Sequence, residues 1–245
     1  MRCDRLRAFP AAIALLVAGA PVSAQQEAVV GVDLGGGDEG AYVRLLLLFA
    51  SVSLAPALLA VVTSFARIIV VLLFLRAGIG AQEIPPTYVL IGLAILITIV
   101  AMLPTLEPLW EDAAGPLMAG EIDVATAAGH AEQPLRASLA RQVRPADLLL
   151  MADLAGAGTP ETGEDAPLSV LAAAFAISEL RAAFLIGFVI YLPFVIIDLV
   201  VGSTLASVGM LTLPAPLLSL PFKILLFVMV DGWALLAEAL VSTIG

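Results

Sequence analysis

The sequence predicts an all-α, polytopic membrane protein: two hydrophobic helical hairpins flanking an acidic, partly helical periplasmic insertion. Three observations carry that prediction. Of 245 residues, 61% are hydrophobic and only 13% are charged, roughly half the charge of an ordinary soluble domain. The apolar residues lie in long runs punctuated by prolines, as membrane-spanning segments do. The acidic residues gather in one stretch between those runs. The formal charge of −10 and the pI near 4.4 exclude a nucleic-acid partner, whose phosphates demand Lys and Arg.

Residues 1–24 read as a cleavable signal peptide. Arg2, Arg5 and Arg7 form a positive start, residues 8–19 form an apolar core too short to span a bilayer, and Val22-Ser23-Ala24 is a small-residue cleavage site. Cleavage after Ala24 makes Gln25 the first mature residue; the alternative is an uncleaved first membrane helix, which the short apolar run disfavours. Cys3 lies in the positive region, so a lipoprotein anchor does not fit, and the mature chain would hold no cysteine for disulfide chemistry.

Residues 25–41 form a polar, glycine-rich, flexible leader. The first hairpin covers 42–104. Its first segment runs over 42–62, resumes after Thr63-Ser64 as 65–75 with Arg67 embedded, and is closed by Arg76; Pro85-Pro86 then stops any helix. Its second segment, 88–103, ends at Pro104 and is short for a span, which needs about 20 residues. The insertion covers 105–181, rich in Asp and Glu, with 134–150 suited to a short amphipathic helix and 156–167 to a loop. The second hairpin, 182–245, holds a segment at 182–201, interrupted by Pro193 and Asp198, and another at 205–240 carrying Pro214, Pro216, Pro221 and Lys223. A cleaved signal puts the mature N-terminus in the periplasm; Arg67 and Arg76 then face the cytoplasm, as the positive-inside rule prefers, and the insertion returns to the periplasm. The loop between the last two segments carries no Lys or Arg, so charge does not orient that hairpin.

Charges inside apolar runs are the candidate functional residues. Each costs about 2.5–3.5 kcal/mol at mid-membrane even on the mildest scale, so Asp198, Lys223, Asp231 and Arg67 are expected to form a buried charge network. Lys223 with Asp198 is the natural pair, because consecutive segments are neighbours. Lys223 with Asp231 fits less well, since eight residues of helix rise about 12 Å. Such a pair either lines a conduit or proton path or holds subunits together. Prolines 214, 216 and 221 require a turn or broken helix covered by protein or water, since lipid leaves freed backbone groups unsatisfied. Nothing points to an enzyme or a cofactor. His130 is the single histidine and reads as solvated; no His-Glu-x-x-His or Ser-His pattern occurs; Gly78-Ile79-Gly80 is too short for a phosphate loop. Asp198 and Asp231 lack the setting of an intramembrane aspartyl protease, and Lys223 favours charge pairing instead.

Collinear motifs resemble those of the FliP family over about residues 63–233. They are Thr63-Ser64-Phe65-Ala66-Arg67-Ile68-Ile69, Pro85-Pro86 with Val89-Leu90-Ile91-Gly92, Pro134-Leu135-Arg136, Ser178-Glu179-Leu180-Arg181, Leu192-Pro193-Phe194 through Asp198, Leu220-Pro221-Phe222-Lys223, and Val230-Asp231-Gly232-Trp233. Any one is weak; their order is specific. The resemblance implies a non-enzymatic, homo-oligomeric subunit of a type III export gate, in the bacterial inner membrane at the flagellar basal body. It implies assembly with FliQ and FliR, cooperation with FlhB and FlhA, contact with membrane lipid, and passage of exported flagellar proteins. The injection-type relatives (the SctR branch) share the motifs but typically lack the cleaved signal and the longer insertion, so the flagellar branch is favoured. An unrelated small ion-coupled transporter or channel, with Asp198 and Lys223 binding or relaying an ion, is the other reading. The family often carries a methionine run thought to seal its pore. Here Gly209-Met210-Leu211-Thr212 keeps only Met210, so a seal of Met210 and Leu211 is expected without a methionine-rich character.

Overall fold

The structure is a computed structural model that describes Leu46, Phe49, Ser53 and residues 61–81, 84–210 and 212–244. The expected signal peptide with Ala24 and Gln25, the leader, most of the first apolar segment, and Leu211 lie outside the described residues. The chain divides into two compact units, Met1–Ser53 and Leu54–Gly245. In the first, Ser53 Oγ donates to the Phe49 carbonyl at 2.7 Å within helical backbone.

All regular structure in the described part of the second unit is helical, and no strand occurs among the described residues. Helix α1 is Phe65–Ile79, begun after the break at Thr63-Ser64 and ended by Gly80 in the left-handed region (φ 74°). Helix α2, Thr87–Leu109, starts after Pro86. It passes through a π-helical turn, Trp110–Ala114, into α3, Gly115–Ala119. Then come α4 (Val124–Gln142), α5 (Pro145–Ala155), the 40-residue α6 (Leu168–Ser207), α7 (Ala215–Met229) and α8 (Gly232–Ser242).

Two rods, Thr87–Ala119 and Leu168–Ser207, are long and apolar enough to cross a membrane; α7 and α8, bent by 62° at their junction, count as a third if taken as one broken span. Helix α1 lies along α6 and also meets α2, so the two expected hairpins interlock rather than stand side by side. One core joins α1, α2, α6 and α8 through Ile68, Val71, Leu72, Leu90, Ala94, Ala183, Phe194, Leu236 and Leu240. A second joins α4, α5 and the first turns of α6 through Leu139, Leu148, Ala152, Leu171 and Phe175. At about 1.5 Å per residue α6 is roughly 60 Å long, twice a hydrocarbon core, so it serves both cores in one rod.

Four segment boundaries differ from those expected. The second apolar segment does not end at Pro104: α2 continues through Pro104 and Pro108, and the π turn follows one residue later. The third is not interrupted at Pro193 or Asp198 and begins at Leu168, well before 182. The reason is common to both. An internal proline costs about 3 kcal/mol, whereas ending a helix between apolar stretches strips several backbone groups of partners, at several kcal/mol each in lipid. Third, 134–150 is not one helix: Pro134 sits inside α4, and the break falls at Val143-Arg144, both extended, because Pro145 excludes helical geometry from the residue before it. Fourth, the last segment is two helices. Met229 and Gly232 are joined through Val230 and Asp231, and Asp231 takes a left-handed φ of 50°.

Candidate functional site: paired charges between helices

Three polar nodes tie the helices together. In the first, Lys223 on α7 donates from Nζ to Asp198 Oδ2 on α6 at 2.7 Å. Ser219, one turn before Lys223 and fully buried, donates to Asp198 Oδ1. The Lys223 side chain is sealed, 2% exposed, while that of Asp198 keeps 32% of its surface open. The C-cap of α1 closes this node: a Cβ placed on Gly80 would stand 3.4 Å from Lys223 Nζ.

In the second node, Arg67 on α1 pairs with Glu179 on α6, both buried. Arg67 Nη1 also donates to the backbone carbonyl of Thr243, just past α8, at 2.9 Å. Arg67 Nε and Glu179 Oε2 are buried without a hydrogen-bond partner. Such groups are costly to leave unmet.

The third node fastens α5 to α6. Asp147 is buried in the first turn of α5, where the helix dipole favours an anion. Its Oδ2 accepts from Ser178 Oγ at 2.9 Å and its Oδ1 from Arg181 at 3.0 Å. Ser178 Oγ also accepts from the Arg144 N–H at 3.1 Å, which satisfies the chain break before Pro145. Nearby, Arg136 on α4 donates to the carbonyls of Glu164 and Ala166, clipping the loop that precedes α6, and to Glu132 at 2.9 Å.

The four expected network residues therefore do not form one cluster. Asp198 and Lys223 meet; Arg67 belongs to a separate node; Asp231 is exposed at the α7–α8 junction, and no cap hydrogen bond from its side chain is made. Glu179, Asp147, Arg181 and Ser219 join these nodes beyond the residues that the sequence marks. Glu179 and Arg181 lie in the Ser178-Glu179-Leu180-Arg181 motif, and the signal for Glu179 is an acid placed between apolar turns, which must find a cation. His130 is exposed, and its Nδ1 lies 2.8 Å from the Asp112 carbonyl in the π turn. Among the described residues no group of His, Cys, Asp or Glu is disposed to hold a metal ion.

Met210 is half exposed at the end of α6. Gly209 (φ 82°) terminates the helix, its N–H donating to the Ala206 carbonyl at 3.1 Å while the Met210 N–H reaches Leu205 at 2.9 Å. This is a Schellman cap, which fixes the backbone from which the Met210 side chain projects. One charge outside the apolar rods is tuned: Asp123 caps α4 by accepting the Thr126 N–H at 3.0 Å, and bonds from the Thr126 side chain and then its N–H hold the Asp123 carboxyl below its ordinary value.

A protein helical in its described regular structure, with two or three apolar helices among the described residues able to cross a bilayer and embedded charges paired between helices, is the class these features define. The chain belongs to the FliP family, whose model matches residues 48–240. It is similar to the flagellar biosynthetic protein FliP of Bacillus subtilis (strain 168), 46% identical over 201 residues that cover 82% of this chain and 91% of that protein. Its similarity to the protein of that name from Caulobacter vibrioides is 42% over 233 residues, 95% of this chain and 88% of the other. For Pectobacterium carotovorum the figures are 39% over 241 residues, 98% and 93%.

Proposed function

We propose that this chain is a core subunit of the flagellar type III protein export gate, helping to form the conduit by which flagellar proteins cross the bacterial inner membrane at the basal body. The observation that carries this reading is membership of the FliP family over 48–240, together with relatives named as flagellar biosynthetic proteins that align with 82–98% of the chain. The physical character of the chain supports it. Apolar side chains stay open along much of α6 and α7, including Phe184, Leu185, Ile196, Leu199, Phe222 and Val228. A surface of that kind needs lipid or other subunits to cover it. The flagellar name of the relatives favours this branch over the injection-type one.

In this reading the chain is a non-enzymatic homo-oligomer that assembles with FliQ and FliR and works with FlhB and FlhA. The two hairpins of the mature chain are embedded, and the acidic insertion faces the periplasm. The Lys223–Asp198 pair and the Arg67–Glu179 pair hold the helices in register, and Met210 with Leu211 contributes to the closure of the conduit.

Purification with its genomic neighbours tests the assignment. Co-elution of FliQ-like and FliR-like chains, and loss of motility and of flagellar protein export when the gene is deleted, are the expected outcomes. A chain that elutes alone as a simple oligomer and conducts ions by itself would instead be a small transporter or channel.

A further inference from the structure

Helix α8 is attached to the rest of the molecule in an unusual way. Its covalent link to α7 is a hinge-like joint: the helices diverge by 62°, and the joint residue Asp231 is the one described non-glycine residue with positive φ, 50°. The next residue, Gly232, admits no side chain, because a Cβ there would stand 2.2 Å from the Phe227 ring. That ring is edge-on to Trp233 at 5.3 Å, so the joint is packed on both sides. The first end of α8 is thus set by geometry. Its far end is held by the 2.9 Å bond from Arg67 Nη1 to the Thr243 carbonyl, beside the buried Ile244. Between the two, α8 lies on α2 and contributes Leu236 and Leu240 to the core, and Ile244, just beyond Thr243, is buried in it as well.

We propose that α8 is a latch, hinged at Val230-Asp231 and held shut by Arg67, whose guanidinium is kept in position by Glu179. The chemistry favours a fastening that can open. An 11-residue helix has little stability of its own. The Arg67–Glu179 pair stays whole when α8 leaves, since neither partner belongs to α8. The carbonyl that α8 offers is one of the orphan acceptors at a helix end, so releasing it breaks no bond within the helix. Opening therefore breaks one charge-assisted bond and uncovers a defined apolar strip, Leu236, Leu240 and Ile244 with their α2 partners, without disturbing the α4–α5–α6 core.

Thiol accessibility in the membrane-embedded full chain, with Cys3 replaced by Ser, tests the latch. Leu236→Cys reports on the strip under α8, and Leu171→Cys, in the second core, reports on the rest of the fold. Three backgrounds are compared: Arg67→Gln; Arg67→Met with Glu179→Met, which leaves no orphan charge; and a chain ending at Val241, which removes the Thr243 carbonyl together with the buried Ile244 but keeps the Arg67–Glu179 pair, and which is read against Ile244→Ala alone. The expected result is a rise of roughly tenfold or more in labelling at position 236 in each folded background, the factor that one charge-assisted bond carries in a local opening equilibrium, with position 171 unchanged. Unchanged protection of position 236 in the truncated chain and in the double variant overturns the proposal, because apolar packing alone then holds α8. Equal exposure at both positions in every background also overturns it, because Arg67 then supports the whole fold rather than one helix.

Discussion

Lys223 and Asp198 form a 2.7 Å ion pair in which the ammonium is sealed from solvent and the carboxylate is a third exposed. The asymmetry matters more than the distance. Asp198 has a second donor in Ser219 and an open face, whereas Lys223 is enclosed beneath Gly80 and has Asp198 as its counter-charge. Asp198→Ala should therefore be the worse of the two single losses, near the 3–5 kcal/mol typical of stranding a buried charge, roughly. Lys223→Ala leaves a carboxylate that still has Ser219 and partial solvation, so its effect should be smaller. The double variant should be no worse than Asp198→Ala, because no cation is left unpaired. Thermal unfolding in detergent, with motility as the cellular readout, gives the order; a Lys223→Ala loss larger than that of Asp198→Ala would mean that another cation has taken over Asp198.

The sequence made one of these pairs legible and hid the other. Asp198 and Lys223 sit on consecutive apolar segments, and neighbouring segments pack, so their meeting follows from chain order. Arg67 and Glu179 are 112 positions apart. Their pairing depends on α1 lying along α6, an arrangement set by shape complementarity between side chains that hydropathy does not record. Helix limits failed for a related reason. Prolines 104, 134, 193 and 221 each carry the local mark of a helix stop, yet each lies inside a helix. Tertiary packing and the need to satisfy backbone groups outweigh the single lost bond. Where proline acted through the residue before it, at Arg144-Pro145, the break is real.

Glycines along the helices should divide into two groups by what lies above them. A Cβ on Gly187 of α6 would approach the Phe74 ring within 2.5 Å. That ring is itself edge-on to Phe184 at 5.5 Å and to Tyr191 at 6.4 Å, so it has no room to retreat. Gly187→Ala should destabilise the protein by about 1–3 kcal/mol through overpacking of α1 on α6. Gly129, on the exposed face of α4, meets nothing within 4 Å. Gly129→Ala should stabilise by up to about 1 kcal/mol through helix propensity. Thermal denaturation of the two variants should shift in opposite directions.

The α4 cap should titrate. Bonds from Thr126 lower the Asp123 carboxyl below its ordinary 3.8 when the helix is formed. A group whose folded pKa is depressed stabilises above its unfolded value, and that contribution is lost as the pH falls through the folded value. Neutral conditions therefore hold the cap at full strength, and acidification below about pH 4 should loosen the first turn of α4. Amide exchange at Thr126, corrected for its intrinsic pH dependence, should quicken relative to mid-α4 amides in that range. Asp123→Ala should abolish the difference, and Asp123→Asn, which still caps, should make the cap insensitive to pH.

Processing and orientation are tested together. N-terminal sequencing of the membrane-inserted protein should begin at Gln25; a start at Met1 would remove the signal-peptide reading. Thr159 lies exposed in the loop between α5 and α6. A Thr159→Cys variant should react with an impermeant thiol reagent added outside spheroplasts. Reaction only after the inner membrane is broken would turn the insertion to the cytoplasmic side.

The seal is the last expectation. A gate that passes unfolded protein has to exclude ions between substrates, and an apolar constriction does so by dewetting. Met210 has the required construction. Its backbone is fixed by the Schellman cap of α6, with the Met210 N–H on the Leu205 carbonyl at 2.9 Å. Its side chain is half exposed and free to reshape, because an unbranched thioether adapts to a passing chain. A rigid base with a deformable tip, repeated around a ring of copies, closes a pore without preventing passage. Thr212, polar and β-branched, is less able to reshape, so in the proposed seal the apolar part is expected to rest on Met210 and its neighbour Leu211. Met210→Ala with Leu211→Ala should leave assembly intact, since the cap bonds are made by backbone, while the membrane becomes leaky to small ions. Met210→Leu should leak less than Met210→Ala, because it restores most of the apolar volume. Ion conductance in cells producing each variant, measured beside recovery of the assembled complex, separates the outcomes. An assembled double-alanine variant in an ion-tight membrane would move the constriction to a different subunit and leave Met210 as a packing residue.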